Sequence, residues 1–131
     1  YPLLKHKPGF LFEAAQCLSK TRQFEQANEY LRRAVLLSAD PMLYYMMAKN
    51  EQSLGQYRQA EKHLLHAIDI LPERIYPYYL LMNLYTEPSY FQPAKLKMAI
   101  DSVLTKKPKV ESSAIKEMKE KARSMLNNTS I

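Results

Sequence analysis

The chain has 131 residues, is 47% hydrophobic and carries two glycines, one cysteine and a net charge of +6. That length holds one domain with a continuous core, and so apolar a chain with so little glycine excludes disorder and a turn-rich β architecture. The lone Cys17 excludes an internal disulfide framework and a cysteine-rich zinc site.

Taken in chain order, seven helices are predicted near 8–20, 24–38, 41–54, 57–71, 76–86, 91–106 and 112–126. Pro8 opens the first, where its missing N–H costs nothing, and Pro77 and Pro93 fit first turns for the same reason. Cys17 falls in this first helix beside Ala14 and Ala15 and is expected to be a buried, inert thiol. Asp40 is an N-cap followed by Pro41 in the first turn of the third helix, and Gly55 supplies the left-handed residue that ends it. In the fourth helix His63 and His66 lie three apart, but no carboxylate or cysteine completes a metal set, and both are expected to be solvated. The last helix places Ile115, Met118, Ala122 and Met125 on one face and lysines on the other. From Lys95 to Arg123 nine basic residues face four acidic ones, so nearly all the positive charge sits in the C-terminal quarter. A solvated helix face, contact with an anionic membrane surface, or nucleic-acid binding could use that charge; nucleic acid is not expected, because no recognised module accompanies it.

The chain repeats itself. Phe24-Glu25-Gln26-Ala27, Tyr57-Arg58-Gln59-Ala60 and Phe91-Gln92-Pro93-Ala94 each place alanine at the third position after an aromatic. Ala27, Ala60 and Ala94 thus recur at nearly equal intervals, Ala34 and Ala67 follow the first two blocks at the same interval, and apolar runs end at Pro41 and Pro72. This pattern resembles the tetratricopeptide-repeat family, whose repeats are antiparallel helix pairs of about 34 residues. The middle repeat fits best, with Tyr44, Met47, Ala48, Gly55, Tyr57, Ala60, Leu64, Ala67 and Pro72 on signature positions; the first keeps Leu11, Ala14, Ala15, Phe24, Ala27, Leu31 and Ala34. The third has Asp101 where a small alanine is expected, so its second helix should pack less tightly. The resemblance implies an all-α, right-handed helical solenoid of three hairpins and a capping helix. It forms a single domain over 1–126, with repeats at 8–40, 41–74 and 75–108, a capping helix at 112–126 and a frayed tail at 127–131.

In such a solenoid the first helix of each hairpin lines an inner groove. The resemblance places Phe12, Gln16, Tyr45, Met46, Lys49, Tyr76, Tyr79, Leu80 and Asn83 there, with the tyrosines partly exposed. Family members that bind acidic chaperone C-termini share a carboxylate clamp of lysine, asparagine and arginine. Here Phe12, Gln16, Met46, Tyr76 and Leu80 hold the clamp positions, so the clamp is absent. An apolar, aromatic groove suits a protein or peptide partner, either an amphipathic helix or an apolar segment. Occupation by the chain's own N-terminal segment or an adjoining domain, and sugar stacking on Tyr76 and Tyr79, remain open alternatives.

There is no phosphate loop, no carboxylate pair and no nucleophile triad, so no enzyme activity, cofactor or metal is expected. The Asn127–Ser130 stretch carries short glycosylation patterns that arise by chance. The densest apolar stretch, Tyr78 to Tyr85, is far shorter than the roughly 20 residues of a membrane span. The chain begins at Tyr1 rather than methionine and is expected to be a piece of a longer protein. Three stretches, 1–4, 72–81 with Leu84-Tyr85, and 109–118, resemble the C-terminal repeat region of Bacteroidetes O-antigen ligase/polymerase-like membrane proteins. That resemblance implies a soluble domain tethered to a bacterial inner membrane, in a glycan-handling parent whose catalytic residues lie elsewhere. A stand-alone soluble adaptor for a partner's amphipathic helix or apolar peptide is the alternative.

Overall fold

Helix starts and stops follow local chemistry closely. In the structure, a computed structural model that describes residues 8–108 and 110–128, seven α-helices are present: α1 Pro8–Lys20, α2 Phe24–Ala34, α3 Pro41–Ser53, α4 Tyr57–Ile70, α5 Tyr76–Tyr85, α6 Pro93–Thr105 and α7 Ser113–Asn128. A 3-10 turn at Pro88–Tyr90 precedes α6, and no strand occurs among the described residues. The 1–4 stretch, Lys109 and the tail beyond Asn128 lie outside the described residues. Asp40 caps α3 as expected, its carboxylate accepting the Met42 N–H at 3.0 Å. Gly55 takes φ +78° after α3, and the Gln56 N–H reaches back to the Glu51 carbonyl at 2.8 Å. Arg22 makes the equivalent turn one repeat earlier, at φ 64°, with Gln23 N–H bonded to the Leu18 carbonyl at 2.8 Å. The expected α2 of 24–38 stops at Ala34: Leu36 and Leu37 N–H groups close tight turns onto Arg33 and Ala34, leaving both leucines exposed ahead of the Asp40 cap.

The chain forms two compact units, Tyr1–Ile70 and Leu71–Ile131. In the first, α1 pairs with α2, α2 packs on α3, and α3 pairs with α4. Leu11, Ala15, Ala27, Leu31, Ala34, Leu43 and Met47 form one core cluster. The alanines permit close approach of the paired helices, and the buried positions of α2 (Ala27, Asn28, Leu31, Ala34) recur one repeat later in α4 as Ala60, Glu61, Leu64 and Ala67. In the second unit α5 pairs with α6, and α7 packs across α6 and reaches α5. Ala122 of α7 is buried, with Ile115, Met118 and Met125 half-buried on the same face, as the sequence predicts.

The third hairpin departs from the expected register. Phe91 is 49% exposed, and Ala94, Met98 and Asp101 also face solvent, whereas Leu96, Ala99, Ile100 and Val103 are buried. The helix begins at Pro93 rather than at Phe91, because the 3-10 turn takes up extra chain. Leu96, Ile100 and Val103 therefore stand where Ala60, Leu64 and Ala67 stand in α4. Asp101 is not a weak spot in the packing; it is a surface residue.

Candidate functional site

The candidate surfaces lie on the first helices of the hairpins, taken unit by unit: α1 and α3 in the first unit, and α5 in the second. α3 is packed on one side by α2 and on the other by α4, so little of it stays open. Met42, Met46, Lys49 and Ser53, spaced by helical turns, form its accessible strip. Met46 and Phe12 are half-buried against the same core cluster, while Gln16 and Lys49 are exposed. Tyr45, expected to be partly exposed, is 4% exposed and belongs to the core. Its Cα lies beside the open strip, but the ring turns inward where neighbouring helices enclose it.

On α5 the open strip is narrower still. Leu80, at 7% exposure, is buried with Leu81, Met82 and Leu84, and so offers a partner no surface. Tyr76, Tyr79 and Asn83 remain half-buried along one face. The Tyr76 and Tyr79 rings stack, with centroids 6.4 Å apart at 24°. The Asn83 Oδ1 atom is buried and accepts no hydrogen bond among the described residues.

Most of the described lysines of the C-terminal quarter are exposed, as a solvated face requires, but three of them make specific contacts. Lys121 of α7 lies over the Tyr79 ring at 5.5 Å, and Lys106, at the end of α6, lies over Tyr78 at 4.9 Å, both within cation–π range. Lys119 donates to the Leu104 and Lys106 carbonyls at 3.3 and 2.9 Å, neutralising the open C-terminal end of α6. Of the lysines on α7, Lys116 alone is exposed without such a contact among the described residues.

Two expectations about the first unit also change. Cys17 is exposed rather than buried. The buried face of α1 runs through Leu11 and Ala15, and two positions past Ala15 is about 200° around the helix. His63 is not simply solvated: its Nδ1 lies 2.7 Å from Glu51 Oε1, with the Glu51 side chain 3% and the His63 side chain 30% exposed. Tyr44 packs edge-on to His66 at 4.7 Å and tilted to His63 at 6.0 Å. Glu51 stands on α3 and His63 on α4, so sequence spacing gave no sign of the pair. A polar chain runs nearby across three helices: Ser19 Oγ donates to Asn50 Oδ1 at 2.9 Å, and Asn50 Nδ2 to Asn28 Oδ1 at 2.8 Å. Asn28 Nδ2 completes it, donating to the Met47 carbonyl at 3.3 Å.

A hollow of ≈ 350 Å³ lined by Leu18, Gln26, Glu29, Tyr30 and Arg33 lies against α2, away from the first-helix strips, and brings no catalytic groups together. Among the described residues no three His, Cys, Asp or Glu side chains converge on a metal position, and no helix is long and apolar enough to cross a membrane. The model of the tetratricopeptide-repeat family matches residues 8–41 and 43–73, which are the two hairpins of the first unit. No curated protein matches the chain.

Proposed function

We propose that this chain, which belongs to the tetratricopeptide-repeat family, is a non-catalytic scaffold whose first-helix strips bind a protein or peptide segment. The observation that carries this reading is the stacked, half-buried Tyr76–Tyr79 pair on α5. Aromatic anchors at a surface typically dominate binding energy, at about 2 kcal/mol or more each on truncation. Phe12, Gln16, Met46 and Lys49 supply the corresponding strips of the first unit, Asn83 extends that of α5, and Tyr45 and Leu80 support the strips from beneath. Selection of helical and apolar peptides from a displayed library against the whole chain tests this. Enriched peptides should lose binding to Tyr76→Ala/Tyr79→Ala while its helicity is unchanged; peptides that bind both proteins equally would place the functional surface elsewhere.

The finer proposal concerns context. The resemblance of 72–81 and 109–118 to O-antigen ligase/polymerase-like proteins supports a soluble C-terminal part of a membrane-bound envelope glycan protein, tethered at the bacterial inner membrane. Reading the gene upstream of Tyr1 decides it. Several apolar spans of about 20 residues are expected; a soluble start would make the chain a stand-alone adaptor, with the peptide-binding reading intact.

A further inference from the structure

We propose that the surface shared by α5 and α7 recognises an acidic peptide segment, with carboxylates placed beside an apolar or aromatic anchor. This rests on the peptide-binding reading and adds the chemistry of the partner. Two successive rings of α5, Tyr78 and Tyr79, each carry a lysine from a different element, Lys106 and Lys121. Among the described residues neither lysine has a carboxylate partner or a hydrogen bond to its ammonium. A ring face satisfies an ammonium on one side, leaving N–H donors directed outward. A partner carboxylate accepts those donors in charge-assisted bonds, while its apolar side chain lies against the Tyr76–Tyr79 stack.

Charge complementarity favours an acidic segment over the other occupants. Residues 71–131 hold ten Lys or Arg against six Asp or Glu, an excess of four. Residues 1–7 contain Lys5 and Lys7 and no acid, so the chain's own N-terminus has the wrong sign. A second copy also carries +6. A lipid surface attracts clusters of free lysines; here Lys119 is committed to the α6 carbonyls, and Lys106 and Lys121 each lie against a tyrosine ring.

The test is fluorescence anisotropy of the full chain with two labelled helix-forming peptides. One has Glu interspersed with Leu and Phe, and the other is identical with every Glu replaced by Gln. The acidic peptide should bind, and its affinity should fall steeply towards about 1 M salt, where the Debye length is about 3 Å. Lys121→Gln, an exposed position, should weaken it about two- to fivefold and leave the Gln peptide unchanged, with helicity as the control. Equal binding of both peptides, or no effect of Lys121→Gln, overturns the charge proposal while leaving peptide binding in place. Binding of neither peptide removes both. Three further results would each replace the acidic peptide by another occupant. They are Lys121-dependent binding to phosphatidylglycerol vesicles without peptide binding, self-association abolished by Tyr79→Ala, and tighter peptide binding after removal of residues 1–7.

Discussion

The two units solve the same packing problem with different material. In the first, the paired helices meet through alanines, and every buried Asn or Glu among the described residues lies there: Asn28, Asn50, Glu51 and Glu61. In the second, Leu96, Ile100 and Val103 take the places of Ala60, Leu64 and Ala67, and Ile75, Leu81, Met82 and Leu84 are buried as well. A polar chain such as Ser19–Asn50–Asn28 tolerates one register only, because a shifted helix strands buried donors and acceptors. A hydrocarbon interface has no such partners to lose, so it accommodates a helix whose start has moved along the chain. The first unit is accordingly the regular one, matched by the family model, and the second is the one in which tyrosines and lysines have been brought together at the surface.

Substitutions at matched positions can break this contrast. Leu96→Ala should have the largest effect, about 2–5 kcal/mol in chemical denaturation, because it removes a fully buried large side chain and leaves a cavity. If Leu96 instead behaved as an exposed residue, with no change in midpoint, the displaced register of α6 would be wrong. Its counterpart Ala60→Leu should destabilise by about 1–3 kcal/mol through overpacking, and an unchanged melting temperature would show that α3 and α4 are not in close contact there. Asn50→Ala, which leaves Asn28 Oδ1 and the Ser19 hydroxyl without their partner, should cost about 1–3 kcal/mol. A neutral result would mean that the buried amides do not hold the register of the first unit.

The smallest expected effect has the opposite sign. Arg22 stands at the left-handed position that Gly55 fills in the next repeat, and a non-glycine residue there costs roughly 1–2 kcal/mol. Arg22→Gly should therefore stabilise the protein by about 1 kcal/mol or less, since the guanidinium contact over Phe24 at 5.8 Å is lost at the same time. Thermal melts of Arg22→Gly and Gly55→Ala should move in opposite directions; a shared direction would remove the equivalence of the two turns.

What can be read without the fold is what the backbone demands locally. Asp40 before Pro41, Gly55 after α3, and prolines at the starts of α1, α5 and α6 declare helix ends, because caps and left-handed turns depend on a few adjacent residues. The regular recurrence of alanines likewise determined the paired-helix architecture of the first unit. The inner strip was legible only in part. Helical spacing identifies which residues share a face, and Tyr76, Tyr79, Met46 and Lys49 are accessible as that spacing implies, but how wide the open part of the face is depends on the helices beside it. Tertiary packing alone turned Tyr45 and Leu80 inward and paired Glu51 with His63. It also laid Lys106 and Lys121, from the end of α6 and from α7, over Tyr78 and Tyr79 of α5. Those outcomes depend on distances between side chains on different helices, a quantity that no local pattern of residue types encodes.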